Sequence, residues 1–410
     1  MTPRAPSLAF AAFTYSNFRY FICARILVTV ASEMQSVAVG WQIYSLTHRP
    51  LDLGLAGLAQ FAPGILLFLV AGHTADRIPR QRILQCCYAA FSICSLLLLV
   101  LTFQGLATVW PIYAVLLLNG TVRAFNMPAS QAFLPLLVAP IHFPNAVTWG
   151  SSILQMALLA GPTLGGLIYG FAASPVPVYV CSAISCLCGL ALMGLVRLET
   201  ALRLHQPASL SMMLEGIRYI WRNKLVLGAI SLDLFAVLLG GAVALLPVYA
   251  REILHTGPYG LGLLRGAPSA GAVLMAITLS RWPLRRQAGP TLLAFVSGFG
   301  VFTIVFGISR SFALSLAALV LSGSCDMVSV VIRHTLVQLA TPDEMRGRVS
   351  AVNSLFIGAS NEFGQFESGV TAQWFGTVPA VILGGLGTLA VVAIWTWLFP
   401  QLRRVNQLPS

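Results

Sequence analysis

Charge is the scarcest property of this chain. Only 9% of its 410 residues are Asp, Glu, Lys or Arg, and just 12 are acidic. An average soluble domain is roughly a quarter charged, so a water-soluble fold is excluded. Cysteine patterning is also missing. Cys23, Cys86, Cys87, Cys94, Cys181, Cys186, Cys188 and Cys325 all fall in apolar runs, with no zinc-like or disulfide-like spacing. They read as small packing residues. There is no Walker loop, nucleotide fingerprint or HExxH. That argues against direct ATP drive, and no cofactor or metal is expected. Nor do the six histidines form a ligand set.

What abounds is apolar sequence, 57% of residues, with a mean hydropathy of +0.84. Runs near 20 residues recur from end to end. About 20 helical residues cross the hydrocarbon core of a bilayer, and lipid offers no partner to backbone N–H and C=O, so each crossing must be a helix. The chain therefore reads as an all-α polytopic membrane protein of about 12 transmembrane helices. The spans are expected near 18–45, 52–74, 82–103, 107–130, 146–172, 175–196, 224–250, 258–280, 289–308, 312–334, 348–374 and 378–399. The run from Phe21 to Leu46 lacks a small-residue cleavage site, so no removable leader is expected.

The net charge of +12 lies in alternate loops. Arg77, Arg80 and Arg82, then Arg197, Arg203, Arg218, Arg222 and Lys224, then Arg281, Arg285 and Arg286, then Arg346 and Arg348, and finally Arg403 and Arg404 mark one side. The intervening loops at 104–108, 172–177 and 374–379 carry no charge. Short basic loops stay cytoplasmic. Both termini are thus expected inside a cell (inner or plasma) membrane, with an even number of spans. Charge distributed this way serves topology, and nucleic acid is not an expected partner.

The sequence divides near residue 200. We expect an N-terminal six-helix bundle (1–196), a cytoplasmic amphipathic linker (197–223) and a C-terminal six-helix bundle (224–410). Within the linker, Leu210, Met213, Leu214, Ile217 and Ile220 form an apolar stripe beside Arg218, Arg222 and Lys224. Such a helix suits the membrane interface. The halves repeat weakly. Gly57-Leu58 with Ala62-Pro63 recurs as Gly262-Leu263 with Ala267-Pro268, shifted by 205; Leu134, Leu137, Pro140, Val147 and Ser152 recur as Leu336, Leu339, Pro342, Val349 and Ser354, shifted by 202. Near-constant offsets point to two pseudo-symmetric bundles, with a binding site at the midplane between them.

Spans 2 and 3 are joined by Gly72-His73-Thr74-Ala75-Asp76-Arg77-Ile78-Pro79-Arg80-Gln81-Arg82. Gly72 permits a tight exit, and Asp76 can pair with an arginine or a helix N-terminus to latch one conformation. Arg123, near the cytoplasmic end of span 4, is a candidate partner for Asp76, with substrate contact or neutralisation of another acid as the alternatives. The loop resembles the signature of the major facilitator superfamily, approximately G-x-x-x-D-R-x-G-R-R/K between the same spans, with Pro79 where glycine is usual. Gly161-Pro162-Thr163-Leu164-Gly165-Gly166 in span 5 resembles the GPxxGG antiporter motif of its efflux members. Small residues four apart allow close helix contact, and Pro162 bends the helix. Generic packing is the alternative reading of that stripe.

Charges inside spans are the sharpest clues, because an unpaired one in hydrocarbon costs several kcal/mol. Glu33 lies on a polar stripe with Arg25, Thr29, Ser36 and Gly40, as a proton or substrate site or as a structural partner of Arg25. Asp233, Asp326 and Glu362 are the other acidic candidates; Arg333, on the same face as Asp326, could neutralise it. Arg265 could attract an anionic substrate or pair with Asp233. Three further stretches resemble the siderophore and drug efflux branch that includes the enterobactin exporter: Asn17-Phe18-Arg19, Glu215 to Asn223, and Thr341 to Val349. Thr341 and Asp343 are also placed to cap the helix that follows.

The resemblance implies a secondary transporter and not an enzyme. It implies export of a siderophore-like or drug-like small molecule by alternating access, with protons as coupling ion and the chain working as a monomer. An importer or facilitator of a small metabolite is the second reading. A membrane enzyme or scaffold is the third; it would need a catalytic cluster at one membrane face, and none is visible.

Overall fold

Helices follow the apolar runs almost residue for residue. The computed structural model describes residues 8–105, 108–197, 210–282 and 287–405. The expected linker residues 198–209, with Arg203, and the basic pair Arg285 and Arg286 lie outside the described residues. No strand occurs among those described. A 3-10 segment (Leu8–Thr14) precedes α1 (Ser16–Thr47), α2 (Pro50–Leu66), α3 (Phe68–Arg77), α4 (Arg80–Phe103), α5 (Trp110–Phe133), α6 (Phe143–Ala172) and α7 (Val176–Leu195). Then come α8 (Leu210–Arg222), α9 (Lys224–Gly240), the single turn α10 (Leu246–Val248), α11 (Gly257–Arg281), α12 (Ala288–Ile308), α13 (Phe312–Leu339), α14 (Asp343–Phe375), α15 (Thr377–Leu398) and the short α16 (Pro400–Arg403).

Among the described residues, nine helical segments are long and apolar enough to cross a membrane on composition alone. Three further runs complete the expected twelve. They are α2 with α3, each of which is too short alone because the span is broken between them, and α5 and α14, whose polar residues dilute their hydropathy. Two spans differ from continuous helices, and both have visible causes. Span 2 breaks at Leu67 (φ −98°, ψ 3°) just after Pro63-Gly64, the residue types that kink helices. Span 7 ends as α-helix at Gly240-Gly241, then continues through a 3-10 turn (Ala242–Leu245), α10 and a π turn (Tyr249–Ile253). The carbonyl freed at Gly241 accepts a hydrogen bond from Ser368 Oγ at 3.0 Å. A Cβ at Gly364 of α14 would lie 2.9 Å from the Leu238 carbonyl, so α14 crosses α9 beside the break with nothing but backbone between them.

The chain forms two compact units. One comprises Met1–Gln42 and Ala59–Ala208; the other comprises Ile43–Leu58 and Ser209–Ser410. In the first, α4 packs on α5 and α7, around Phe18, Phe21, Ile22, Leu84 and Tyr88, all at most 1% exposed. Asn17 ties the start of α1 to the end of α7. Its Nδ2 donates to the Arg197 carbonyl (2.9 Å) and its Oδ1 accepts from the Arg197 N–H (3.1 Å). In the second, α11 packs on α13, and α12 on α13 and α15.

The two stretches 215–223 and 341–349 meet in the second unit. Glu215 pairs with Arg348, a Cβ at Gly216 would lie 3.0 Å from the Arg348 carbonyl, and Tyr219 Oη donates to the Ala340 carbonyl at 2.6 Å. Asn223 then caps α9, accepting from Leu225 N and Val226 N. Part of the expected interfacial stripe packs inside the unit: Ile220 is 2% exposed within its core, whereas Leu214 is 56% exposed. Thr341 does not cap α14 either: its hydroxyl donates back to the Val337 carbonyl (2.6 Å), closing α13, while Pro342 holds the cap position without a side-chain hydrogen bond. The Asp343 side chain lies outside the described residues.

Each unit repeats one close crossing. A Cβ at Gly120 of α5 would strike the Gln60 carbonyl of α2, and a Cβ at Gly323 of α13 would strike the Pro268 carbonyl of α11. The glycines are 203 residues apart, between the two offsets read from sequence.

Candidate functional site

Glu33 is the sequence candidate with the most developed surroundings. It is half-buried on α1 and opens on a small cavity of the first unit, shared with Ser36 of α1, Gln60 of α2, and Asn119 and Arg123 of α5. The cavity has room for about one water molecule. Arg123 Nη1 donates to Gln60 Oε1 at 3.1 Å, and Gly120 lets α5 approach the Gln60 backbone. Nearby Gln35 accepts from Ser95 Oγ at 2.6 Å, anchoring α1 to α4. Arg25, offered as a structural partner of Glu33, points elsewhere: its Nη1 lies 3.7 Å from where a Cβ at Gly150 would stand.

The glycine motif of α6 closes on this residue. Gly161, Pro162, Gly165 and Gly166 are all buried. A Cβ at Gly161 would lie 2.5 Å from Glu33 Cβ and 3.2 Å from the Val30 carbonyl; one at Gly165 would lie 2.7 Å from Met34 Cα. The small-residue strip therefore seats α6 on the turn of α1 that carries Glu33. Two features found by different sequence arguments become one local arrangement.

The loop motif gives a partial picture. Gly72 is half-buried in α3 and Arg77, its last residue, is exposed. Arg80 begins α4 and its Nη1 donates to the Ala132 carbonyl at 2.8 Å, binding the loop to the end of α5. The Asp76 side chain, and with it the expected pair with Arg123, lies outside the described residues.

In the second unit, Asp233 of α9 pairs with Arg333 of α13, at 7% and 2% exposure. The partner is not Arg265, which is half-buried on α11. Arg333 is thereby engaged across helices and not only along its own. Asp326, two turns before Arg333, feels both charges of that pair. Buried Ser322 and Ser329 continue the same polar face. On α14, Glu362 Oε2 accepts from Gln365 Nε2 at 3.0 Å and lies 3.4 Å from where a Cβ at Gly57 of α2 would stand. Glu367 instead accepts from Thr371 Oγ1 at 2.7 Å, so the two α14 acids have separate surroundings.

Sequence reasoning missed Gln60 and Asn119. A polar residue every helical turn in an apolar span, as at Asn119 and Arg123, was the available signal. It also missed a cluster in the second unit where α1 ends. Tyr44 Oη donates to Glu252, and Arg251 Nη1 donates to Ser45 Oγ at 2.8 Å. No group of His, Cys, Asp and Glu among the described residues is arranged to hold a metal ion.

A family model described as transmembrane secretion effector matches residues 7–410. The enterobactin exporters EntS of Shigella boydii serotype 18 and Escherichia coli O139:H28 are each 24% identical over 412 residues, covering 97% of this chain and 95% of theirs. Among solved structures, a bacterial homologue of the iron transporter ferroportin aligns with a TM-score of 0.69 at 17% identity, over 95% of this chain and 98% of its own. A bacterial homologue of the lysosomal transporter Spinster aligns at 0.70 and 14%, over 94% and 96%. The nucleoside transporter NupG aligns at 0.69 and 12%, over 93% and 99%. At those identities the structures speak for the fold alone.

Proposed function

We propose that this chain, which belongs to the transmembrane secretion effector family of major facilitator transporters, is a proton-coupled exporter of a siderophore-like or drug-like organic molecule. It is a multi-pass membrane transporter and not an enzyme. The proposal adds direction, coupling ion and substrate class. It also places both termini in the cytoplasm and takes one copy as the working unit. The enterobactin exporters among its relatives support the substrate class.

The observation that carries the reading is that Glu33, packed against the glycines of α6, lines one small cavity with Gln60 and the exposed Arg123. A carboxylate within a membrane span is costly unless it is neutralised or paired. It has two ways to lower that cost: to take a proton, or to draw the Arg123 guanidinium from Gln60. These alternatives are exclusive and give the two states an antiporter needs. With Glu33 protonated, Arg123 stays with Gln60 and is open to an anionic group. With Glu33 ionised, Arg123 is claimed. Because α6 rests on Glu33 without an intervening side chain, rocking of α6 reaches the carboxylate directly. Asp233, held by Arg333, serves better as a fixed neutral pair; Asp326 and Glu362 are the second-rank acids.

The test is uptake into inverted vesicles, using a panel of siderophores and drugs chosen from the growth and secretion defects of a deletion strain. Wild-type uptake should fall when the proton gradient is collapsed. Glu33→Gln should lose gradient-driven uptake while still binding substrate. Uptake that ignores the gradient, or undiminished uptake by Glu33→Gln, overturns coupling at this residue. Net accumulation in right-side-out vesicles would establish import instead.

A further inference from the structure

The outward face of α8 combines exposed apolar and cationic side chains. Its inward face is used: Gly216 and Ile220 dock on α14 and the core, and Tyr219 hydrogen-bonds the end of α13. What remains outside is Trp221 at 68% exposure, Leu214 at 56%, and the exposed cations Arg218 and Arg222, with Lys224 just beyond. Leu214, Arg218 and Trp221 are spaced at four and three residues, so they share one side of the helix. The acid on this helix, Glu215, is taken by Arg348. No acid among the described residues pairs with Arg218, Arg222 or Lys224. Lys224 opens α9, where the helix dipole disfavours a cation. That corner therefore carries positive charge from side chains and from the start of α9 together, and no acid among the described residues offsets it.

From this we infer that the α8 face, with Lys224, is a docking surface for anionic phospholipid headgroups. Trp221 and Leu214 would sit at headgroup level, and Arg218, Arg222 and Lys224 would hold the phosphates. The chemistry is complementary in both parts. A tryptophan ring is amphipathic and settles at the membrane–water boundary, and each cation near an anionic leaflet is worth about a fivefold preference. The inference needs only that the chain sits in a bilayer, so it stands or falls apart from proton coupling and substrate class.

The experiment places the whole protein in nanodiscs of phosphatidylcholine with a minor share of phosphatidylglycerol. Both leaflets are then alike and orientation does not matter. Brominated acyl chains are carried by one lipid or the other at equal mole fraction, and Trp221 quenching is taken as the difference between wild type and Trp221→Phe. Brominated phosphatidylglycerol should quench Trp221 more than brominated phosphatidylcholine, and added salt should shrink the excess. The triple variant Arg218→Gln, Arg222→Gln, Lys224→Gln should weaken the apparent phosphatidylglycerol preference at least ~10-fold. These side chains are exposed, so folding is retained and a thermal melt confirms it. Equal quenching by both lipids, no quenching by either, or a preference that survives the triple variant overturns the assignment.

Discussion

Adding one methyl group at position 165 should part α6 from α1. A Cβ there would stand 2.7 Å from Met34 Cα and 2.8 Å from the Met34 carbonyl oxygen. Carbon atoms in good contact are about 3.5–4.0 Å apart, so the helices must separate by roughly 1 Å. The obstructing atoms are backbone and cannot rotate away. Overpacking of this kind costs about 1–3 kcal/mol, offset by up to ~1 kcal/mol from the helix preference of alanine over glycine. The propensity gain is common to any such Gly→Ala change, so relative to the same change at a glycine with open space around it, Gly165→Ala is expected to be less stable by about 1–3 kcal/mol. The control is Gly194→Ala on α7, where nothing lies within 4 Å; there only the propensity gain applies, so stability should hold or rise. Thermal unfolding of the purified proteins compares them. Because the separation occurs beside Glu33, flux in Gly165→Ala should fall more than its loss of stability explains. If Gly165→Ala melts with Gly194→Ala and transports normally, the small-residue strip does not seat α6 on α1, and the link between this motif and Glu33 is lost.

Other perturbations test the remaining contacts. Asp233→Ala strands Arg333 at 2% exposure and should cost about 3–5 kcal/mol, seen as loss of monodisperse protein; Asp233→Ala with Arg333→Ala should recover most of it, and a single variant as mild as the double would refute a buried pair. Asn17→Ala removes two hydrogen bonds to Arg197, worth about 1–3 kcal/mol together, and should raise amide exchange at the start of α1 while leaving the second unit unchanged. Tyr44→Phe removes the hydroxyl that Glu252 accepts, so maleimide labelling of a Ser45→Cys protein should quicken severalfold, whereas an unchanged rate would mean that this contact does not hold the end of α1.

How much of this was legible depended on the range of the interaction. Span positions were, because hydrophobic length is a property of consecutive residues. The expected 82–103 and 289–308 sit against observed Arg80–Phe103 and Ala288–Ile308. Where the reading failed, a partner from another helix decided. Arg333 shares a helix face with Asp326, which made that pair visible in sequence, but the rotation of α9 against α13 delivers Asp233 to it. Thr341 precedes a helix and so resembled a cap, yet its hydroxyl donates to the Val337 carbonyl one turn back. The stripe on α8 was read as one interfacial face, but Ile220 is buried in the unit's core while Leu214 is 56% exposed, a division that periodicity cannot show.

The same distinction explains why glycine, and not charge, marks the candidate site most firmly. An in-span acid announces a need for a partner, and sequence cannot say which helix meets it. A glycine stripe announces that another backbone comes near, and the possible approaches are few. Gly161 and Gly165 meet α1 at Glu33 and Met34; Gly120 meets α2 at Gln60; both contacts border one cavity. Gly323 makes the matching approach to Pro268 in the other unit. Backbone contacts of this kind leave no side chain through which substitution could readjust the fit. Such a contact tolerates little change at the glycine, which fits the spacing of Gly120 and Gly323 falling between the two offsets read from sequence.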